Sequence, residues 1–158
     1  MPNTTFVPVS GTILNISSMN NNCCSLMIAI RNNSGITNFI LSPSTYVVQE
    51  TPLRIGMRVT AFYDASLPIP AIFPPQYQAV FLTRNQQNET VYAGYFNEDL
   101  VSEDNTLRLN IARSTEIVTS NGQRFSCSLG GQLLIVYYTT ATFSIPAQTT
   151  PRRVVVIC

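Results

Sequence analysis

The pattern of apolar and polar positions along the chain is typical of β-strands throughout. The segment MRVTAFYD alternates, so that Met57, Val59, Ala61 and Tyr63 lie on one face and the residues between them on the other. This alternation predicts a half-buried strand. Further runs rich in β-branched and aromatic residues predict strands at 6–16, 25–30, 36–41, 45–49, 78–83, 91–96, 107–111, 116–119, 132–138 and 153–157. No window of helical length has a clean period of 3.6 residues.

The strand pattern recurs within the chain. The stretch FYDASLPIPAIFPPQYQAVFL, residues 62–82, returns as YYTTATFSIPAQTTPRRVVVI, residues 137–157. Matching residues include Thr45 with Thr115, Gly56 with Gly131, Phe62 with Tyr137, and 79–82 with 154–157, the last three all 75 positions apart. The prolines of PPQ and PAQ, Pro74 and Pro146, match at 72 positions. The second copy also carries five extra residues between Val118 and Gly131.

This recurrence predicts an all-β protein built by tandem duplication. Each copy of about 70 residues has about five strands, for which a small OB-like Greek-key β-barrel is a compact closed solution. The polar segment RNQQNET, residues 84–90, marks the boundary. We therefore predict a first β module over residues 1–86 and a second over 87–158.

Composition excludes many functions. Of the 158 residues, 45% are hydrophobic and only 11% are charged, with nine arginines, no lysine and no histidine. A chain without histidine or lysine has no Ser-His-Asp or Cys-His nucleophile, no P-loop lysine and no Schiff base. No concentrated basic face is present, which argues against nucleic-acid partners. We predict that the protein is not an enzyme and has no cofactor and no metal.

The four cysteines leave two interpretations open. Cys23, Cys24, Cys127 and Cys158 lack the paired C-x-x-C spacing of a zinc site. Adjacent Cys23 and Cys24 are poorly placed to bond each other, so any disulfide has to reach another cysteine or another subunit. These residues are either crosslinking sites between copies in an oxidising compartment, or buried or idle thiols.

The amino-terminal sequence MPNTTFVPVSGTIL has no basic segment, long apolar run or cleavage signature of a signal peptide. No apolar run approaches the roughly 18–20 residues of a membrane span, so we expect none. An extracellular location would then require a signal that was removed or another export route.

The segment 133–157, an apolar strand ending in two tyrosines, a Thr-rich turn, SIPAQ and a closing β-branched strand, resembles a β repeat of secreted and cell-surface proteins of Firmicutes. Some of those proteins also carry copper amine oxidase N-terminal-like stalk domains. Residues 59–82 match the repeat more loosely, because LPIP interrupts them. The resemblance implies an extracellular or surface context and neither copper nor oxidase chemistry. The short chain with an early Cys-Cys pair is also similar in composition to spore-appendage subunits.

Several segments are candidate sites. The aromatic residues Tyr63, Phe73, Tyr77, Tyr137 and Tyr138 are candidates for stacking against a ligand or partner. The Pro-rich loop 67–77 is either a docking surface or a stiff connection between strands. The acidic segment NEDLVSED, residues 97–104, lacks the spacing of a calcium loop and favours a solvated hairpin. Arg152 and Arg153 are candidates for contact with a carboxylate or glycan, and we favour a solvated edge with ion pairs between the two modules.

Two functions follow as hypotheses. The first is a non-enzymatic structural protein that self-assembles into a surface, spore or fibre-like assembly, with the segment 3–10 adding as a strand to a neighbouring copy. The alternative is a module of a cell-surface protein that binds a glycan or peptide through the aromatic residues. If each copy holds such a site, binding should be bivalent. We place the protein at the cell or spore surface or outside the cell.

Overall fold

A computed structural model describes residues 5–19 and 22–158 of the chain. It contains thirteen β-strands and one short 3-10 turn within that part of the sequence, so the predicted all-β class is confirmed. The chain divides into two compact units, Thr4–Gln86 and Gln87–Cys158. This division falls at the same position as the boundary predicted from RNQQNET. Among the described residues, none forms a helix of the length and apolarity that a membrane span requires.

Seven strands form the unit 4–86. They are β1 (Phe6–Met19), β2 (Asn22–Asn32), β3 (Gly35–Leu41), β4 (Tyr46–Val47), β5 (Arg58–Asp64), β6 (Gln76–Gln78) and β7 (Phe81–Arg84), with the 3-10 turn at Val48–Glu50. The unit 87–158 contains the other six. They are β8 (Thr90–Tyr95), β9 (Leu107–Leu109), β10 (Glu116–Thr119), β11 (Leu133–Tyr138), β12 (Ala147–Thr149) and β13 (Arg153–Ile157).

The pairings of the unit 4–86 form one seven-stranded sheet in the order β4-β7-β5-β1-β2-β3-β6, and we refer to these pairings, together with the link between β6 and β7, as the circuit. Strand β1 pairs antiparallel with β5 through its first half and with β2 through its second half. Strand β2 continues antiparallel to β3, and β3 pairs in parallel with β6. Only Ala79 and Val80 separate β6 from β7, which pairs antiparallel with β5 and in parallel with β4. The backbone groups of each of the main strands are therefore paired along most of their length, as burial requires.

Strand β1 changes partners next to Gly11, where two backbones come close together. A Cβ atom at this position would collide with the carbonyl oxygen of Arg31 and the side chain of Ile30. Both of those residues belong to β2. Gly11 therefore allows β2 to begin its pairing at Thr12 directly beside the end of the β5 pairing.

The core of this unit lies on one face of the circuit, and its residues come from every long strand. It comprises Ile13, Ile28, Ile30, Phe39, Leu41, Val59, Ala61, Ala79 and Leu82. The prediction that 57–64 is half-buried is wrong for the middle of the strand, because Thr60 and Phe62 on the opposite face are also fully buried. Phe62 packs edge-on against Phe81, with ring centroids 6.2 Å apart. Phe62 and Phe81 thus form an aromatic contact on the face of β5 opposite the core.

The unit 87–158 repeats most of these pairings, in one four-stranded and one two-stranded sheet. Strand β11 corresponds to β5: it pairs with β8 and β13, as β5 pairs with β1 and β7. The parallel pair β10–β13 corresponds to β4–β7, and the parallel pair β9–β12 corresponds to β3–β6. In place of β2 there are two isolated bridges, Phe96 with Ser102 and Val101 with Arg108. Its core comprises Phe96, Leu107, Leu109, Leu129, Leu134, Val136, Val154 and Val156. The two units therefore share most of these pairings and differ in the first hairpin, which is shorter in the unit 87–158.

Equivalent loops also repeat individual hydrogen bonds. The hydroxyl group of Thr45 donates to the carbonyl oxygen of Ala79 at 2.8 Å, and that of Thr115 donates to Pro151 at 2.7 Å. Gly56 and Gly131 have φ angles of 90° and 77°, a region that favours glycine. The N–H of Gly56 donates to the carbonyl oxygen of Ile13, and the N–H of Gly131 donates to the carbonyl oxygen of Phe96, at 2.8 Å in both cases.

The register predicted for the last strand of each copy is wrong by three residues. Phe81 pairs with Tyr46 and Arg153 pairs with Glu116 in equivalent positions. The strands therefore match at the same separation as Pro74 and Pro146, and not as 79–82 with 154–157. Val154, Val155 and Val156 are all fully buried, so the strand has no polar face from which its register can be read.

The amino-terminal segment does not need a neighbouring copy to form a strand. Residues Phe6 to Ser10 pair with β5 of their own unit, from Phe6 opposite Asp64 to Ser10 opposite Thr60. The earlier part of the predicted donor segment, residues 3–4, lies outside the described residues. Within the chain, residues 6–10 therefore already have a partner strand on one side, and strand donation to a neighbouring copy stays a prediction.

The threonine bonds can be tested with Thr115→Val, which keeps the shape of the side chain but removes its hydroxyl group. Thr115 is 8% exposed, and the variant leaves the Pro151 carbonyl oxygen without this donor. We expect the free energy of unfolding to fall by about 1–3 kcal/mol, measured by urea denaturation. Thr150→Val, at an exposed position, serves as the control. A Thr115→Val protein as stable as the control would contradict this role.

Candidate functional site

Two of the candidate aromatic residues meet in the unit 4–86. Tyr63 ends the apolar face of β5 and Tyr77 lies in β6, next to Phe39 of β3. The rings of Tyr63 and Tyr77 stack with centroids 3.8 Å apart and planes 3° from parallel. Phe39, which is fully buried, supports both rings at centroid distances of 6.4 Å and 5.7 Å. The stack is therefore anchored in the core of the unit.

The stack forms one wall of a cleft of about 220 Å³, which we call the tyrosine cleft. Its opposite wall is the first part of the Pro-rich loop, residues 67–70. Asp64, Gln76 and Gln78 supply polar groups at the edge. A few polar groups around apolar and aromatic walls are typical of sites that bind small ligands or short peptides. Sequence reasoning missed these three polar residues, although each is next to a predicted aromatic residue in the sequence.

The polar edge of the tyrosine cleft is held in place by local hydrogen bonds. The Asp64 carboxylate accepts bonds from the backbone N–H and the hydroxyl group of Ser66, at 2.9 Å and 2.6 Å. The amide of Gln78 donates to the hydroxyl oxygen of Ser42 at 3.1 Å. Burial, with a smaller contribution from Tyr77, raises the pKa of Tyr63. Tyr63 is therefore a neutral phenol at ordinary pH.

Phe73 does not line this cleft. It lies near the far end of the same loop, before Pro74, and its side chain is 93% exposed. The equivalent loop of the unit 87–158 has Phe143 and Ile145 at 106% and 88% exposure. Ile145 occupies the position of Phe73, because each precedes the matching proline through a cis peptide bond. Both loops thus present large apolar side chains to solvent.

The described residues of the unit 87–158 do not repeat the tyrosine stack. Tyr137 is 1% exposed, and the guanidinium groups of Arg152 and Arg153 lie 5.5 Å and 5.7 Å from its ring centre. It is therefore unavailable as a stacking platform for a ligand. Tyr138 is half-buried against the core and occupies the position of Tyr63, but the residue at the position of Tyr77 is Thr149. The expectation of bivalent binding accordingly fails.

The ion pairs of Arg152 and Arg153 lie within the unit 87–158, so the expectation of pairs between modules is wrong. Glu89, whose side chain is fully buried, accepts two bonds from the Arg152 guanidinium, at 2.7 Å and 3.1 Å. Those bonds raise the pKa of Arg152. Glu116 forms an ion pair with Arg153 at 2.9 Å. Because Glu89 lies in the polar boundary segment, the sequence gives no sign that it is buried and paired with Arg152.

The acidic segment 97–104 is a compact turn around Asp104. One oxygen of the Asp104 carboxylate accepts bonds from the hydroxyl groups of Ser102 and Thr106, both at 2.7 Å, and from Tyr92 at 3.0 Å. Burial raises the pKa of Asp104, but these hydrogen bonds together outweigh it and leave the pKa below its ordinary value. Burial also raises the pKa of Tyr92 to about 12, so that it remains a donor. Asp104 is thus a structural acceptor.

All four cysteines are exposed and unbonded. Cys23 and Cys24 are the second and third residues of β2, at the tip of the β1–β2 hairpin. The N–H of Cys24 donates to the side-chain oxygen of Asn22 at 3.0 Å. The interpretation of these residues as buried thiols is therefore wrong. In the part of the chain that the structure describes, no group of three or more His, Cys, Asp or Glu side chains could hold a metal ion.

The network around Asp104 makes a pH-dependent prediction. Because folding lowers the pKa of this carboxyl from 3.8, its stabilising contribution is present above about pH 4 and is lost as the pH falls through the folded-state value. We expect Asp104→Asn to lower the Tm at pH 6 and to flatten the decline in Tm between pH 5 and pH 3. Asp99→Asn changes an exposed carboxylate outside this network and is the control. Parallel pH profiles for Asp104→Asn and the wild type would exclude this role.

The chain matches no protein-family model, no curated protein sequence and no solved structure.

Proposed function

We propose that the chain is a non-enzymatic structural protein that assembles with copies of itself at the surface of a cell or spore. One observation carries this proposal: each unit presents large apolar side chains at the tip of the same loop. Phe73 in the first loop, and Phe143 and Ile145 in the second, are between 88% and 106% exposed. Covering such side chains is favourable by about 1.5–3 kcal/mol each when burial is complete.

The position of these side chains favours extended assemblies over closed pairs. Each chain carries two such loops, one in each compact unit, between β5 and β6 and between β11 and β12. A copy that uses one loop to contact a neighbour still has the other loop for a second neighbour. Contacts between different surfaces continue along a line unless the rotation between copies closes a ring. Two apolar loops per chain therefore support a fibre or lattice.

The weakly charged surface supports the same function. With 11% charged residues and a formal net charge of +1, copies of the chain repel one another little. The exposed thiols of Cys23, Cys24, Cys127 and Cys158 are accessible to neighbouring copies. In an oxidising compartment, disulfides between copies would fix contacts that the apolar loops establish. The proposed location is therefore outside the cell or on its surface.

Each unit is, in this proposal, a small OB-like barrel. Its circuit joins five segments, with the first strand between the second and the fourth and the third parallel to the last. A β-solenoid is the other all-β arrangement for a repetitive chain, and it stacks successive coils in parallel. The antiparallel pairs β1–β2, β2–β3, β1–β5 and β5–β7 favour the barrel. A barrel leaves few free sheet edges, so exposed loops are a favourable route for association.

A second candidate function rests on the tyrosine cleft. A stacked aromatic pair beside carboxylate and amide groups suits a glycan or a short peptide, since both present apolar faces together with hydrogen-bonding groups. OB-type barrels also bind oligosaccharides near the loop that joins their fourth and fifth strands. The Pro-rich loop has that position in the proposed barrel. Binding would be to one site per chain.

The self-assembly proposal is tested with the double variant Phe143→Ser/Ile145→Ser. We expect its association constant to fall at least roughly tenfold, because two apolar side chains no longer gain by burial. Sedimentation velocity over a range of protein concentrations, in reductant, measures this change. Ile55→Ser removes an apolar side chain that is 65% exposed outside both loops, and is the control. If the wild-type protein is monomeric throughout, or if the double variant associates equally well, the proposal fails.

The binding alternative predicts a loss of affinity in Tyr77→Ala. A glycan or peptide array identifies a ligand, and calorimetry then measures its Kd. Removing a central aromatic side chain should weaken binding at least about tenfold. The control is Tyr138→Ala, which truncates the tyrosine at the equivalent position of Tyr63 in the unit without a stacked pair. Equal affinities for the two variants would place binding elsewhere.

A further inference from the structure

A row of side chains across three strands of the unit 4–86 brings two arginines together. Thr12 of β1 lies opposite Arg31 of β2 on one side and opposite Arg58 of β5 on the other. Residues opposite each other on paired strands point to the same face, and strands lie about 4.8 Å apart. The two arginines therefore flank Thr12 on the solvent face, with Cα atoms roughly 10 Å apart.

These residues line a cleft of about 470 Å³, which we call the arginine cleft. Ser10, Asn32 and Asn33 add hydroxyl and amide groups to its lining, and no carboxylate is among its lining residues. Arg31 and Arg58 are exposed, and neither forms an ion pair with any described residue. Two guanidinium groups beside neutral donors are suited to carboxylate oxygens, which they bind through paired N–H groups.

The other unit carries the complementary charge. The unit 4–86 has four arginines and two carboxylates, a formal charge of +2, whereas the unit 87–158 has five arginines and six carboxylates, a formal charge of −1. Both ion pairs of the described residues lie in the unit 87–158 and use Glu89 and Glu116. Three exposed carboxylates of the acidic segment, those of Glu98, Asp99 and Glu103, are left without a cation.

The acidic segment also has a fixed shape. The side-chain oxygen of Asn97 accepts bonds from the N–H groups of Asp99 and Val101, at 2.9 Å and 3.1 Å. At the other end, Asp104 holds Ser102 and Thr106. Glu98 packs over Gly130, where any side chain would collide with it. A preorganised segment loses little conformational entropy when it binds.

We propose that the arginine cleft of one copy binds the acidic segment of the next copy. The carboxylates of Asp99 and Glu103 accept bonds from Arg31 and Arg58, and Thr12 lies between the two arginines. The contact joins different surfaces of identical chains, so it runs head to tail. It rests on the proposed self-association and gives the association a direction and a register, which apolar loops alone do not provide.

Arg54 and Arg84 form the other arginine pair of this unit and line a separate cleft. Its only hydroxyl group, that of Thr51, already donates to the carbonyl oxygen of Val48. That cleft has no amide side chain among its lining residues, whereas Asn32 and Asn33 line the arginine cleft. The pair provides a control of equal charge, because Arg54→Gln/Arg84→Gln removes two positive charges from the same unit.

The experiment measures association of the full chain by sedimentation velocity in reductant, at about 0.02 M and about 0.5 M NaCl. We expect Arg31→Gln/Arg58→Gln to weaken association roughly tenfold at low salt and to remove most of its salt dependence. The triple variant Glu98→Gln/Asp99→Asn/Glu103→Gln should behave in the same way. The Arg54→Gln/Arg84→Gln control should associate as the wild type does. Circular dichroism and Tm values identify any variant that fails to fold.

Charge reversal decides whether the two surfaces meet. Arg31→Glu/Arg58→Glu and Asp99→Arg/Glu103→Arg should each associate poorly alone, and an equimolar mixture should recover association, because each variant supplies the surface that the other lacks. Failure of the mixture to recover would overturn the contact, as would equal loss in the Arg54→Gln/Arg84→Gln control. If association is strong but is unchanged by salt and by both arginine variants, this contact is overturned, whereas the proposed function is not. A wild-type chain that is monomeric at both salt concentrations overturns both proposals.

Discussion

In each unit one short crossover links two sets of strand pairings, and a threonine hydroxyl group bonds to the backbone of that crossover. Between β6 and β7 the chain leaves β3 and joins β5, so the backbone groups of Ala79 and Val80 fall between two partner strands. The N–H of Ala79 bonds to Ile40, and the N–H of Val80 bonds to Phe62. The carbonyl oxygen of Ala79 accepts from Thr45. All of these groups would otherwise be buried without a partner, at a cost of about 1–3 kcal/mol each.

The second unit solves the same problem with one group fewer. Pro151 has no N–H to satisfy, and its carbonyl oxygen accepts from Thr115. The N–H of Arg152 bonds to Tyr137, as that of Val80 bonds to Phe62. Because the crossover fixes where β7 and β13 begin, the loops before it are free to vary in length and composition. The exposed apolar side chains and the tyrosine cleft both belong to those loops, which is where the scaffold tolerates them.

Much of this fold could be predicted from the sequence, since alternation and turn residues are local signals. The strands at 58–64, 116–119 and 153–157 agree with the predicted ranges within one residue. The short strands Gln76–Gln78 and Ala147–Thr149 were missed, because three residues beside prolines give too little pattern. The strand predicted at 45–49 is only Tyr46–Val47 and then a 3-10 turn, in which Gln49 has a φ of 59°.

The sites were harder to predict than the fold, for a geometric reason. Tyr63 on β5 and Tyr77 on β6 are fourteen positions apart in the sequence. Their rings meet because of how β5 pairs with β1 and how β6 pairs with β3. The same holds for Arg31 and Arg58, which share a face only because each lies opposite Thr12. Aromatic composition selected the two tyrosines that stack in one unit. It also selected Tyr137, because a sequence does not reveal that two arginines cover a ring.

The difference between the two units shows which parts of the duplicated module are free to change. Strand β1 has 14 residues and β2 has 11, whereas β8 has 6 and its hairpin partner is reduced to the bridges at Val101 and Ser102. The long hairpin carries Cys23 and Cys24 at its tip, and its short counterpart is the acidic segment. Neither tip contributes to the crossover, so each could diverge without loss of the circuit. Two units with different tips give the chain two different surfaces, which is the asymmetry that the proposed head-to-tail contact requires.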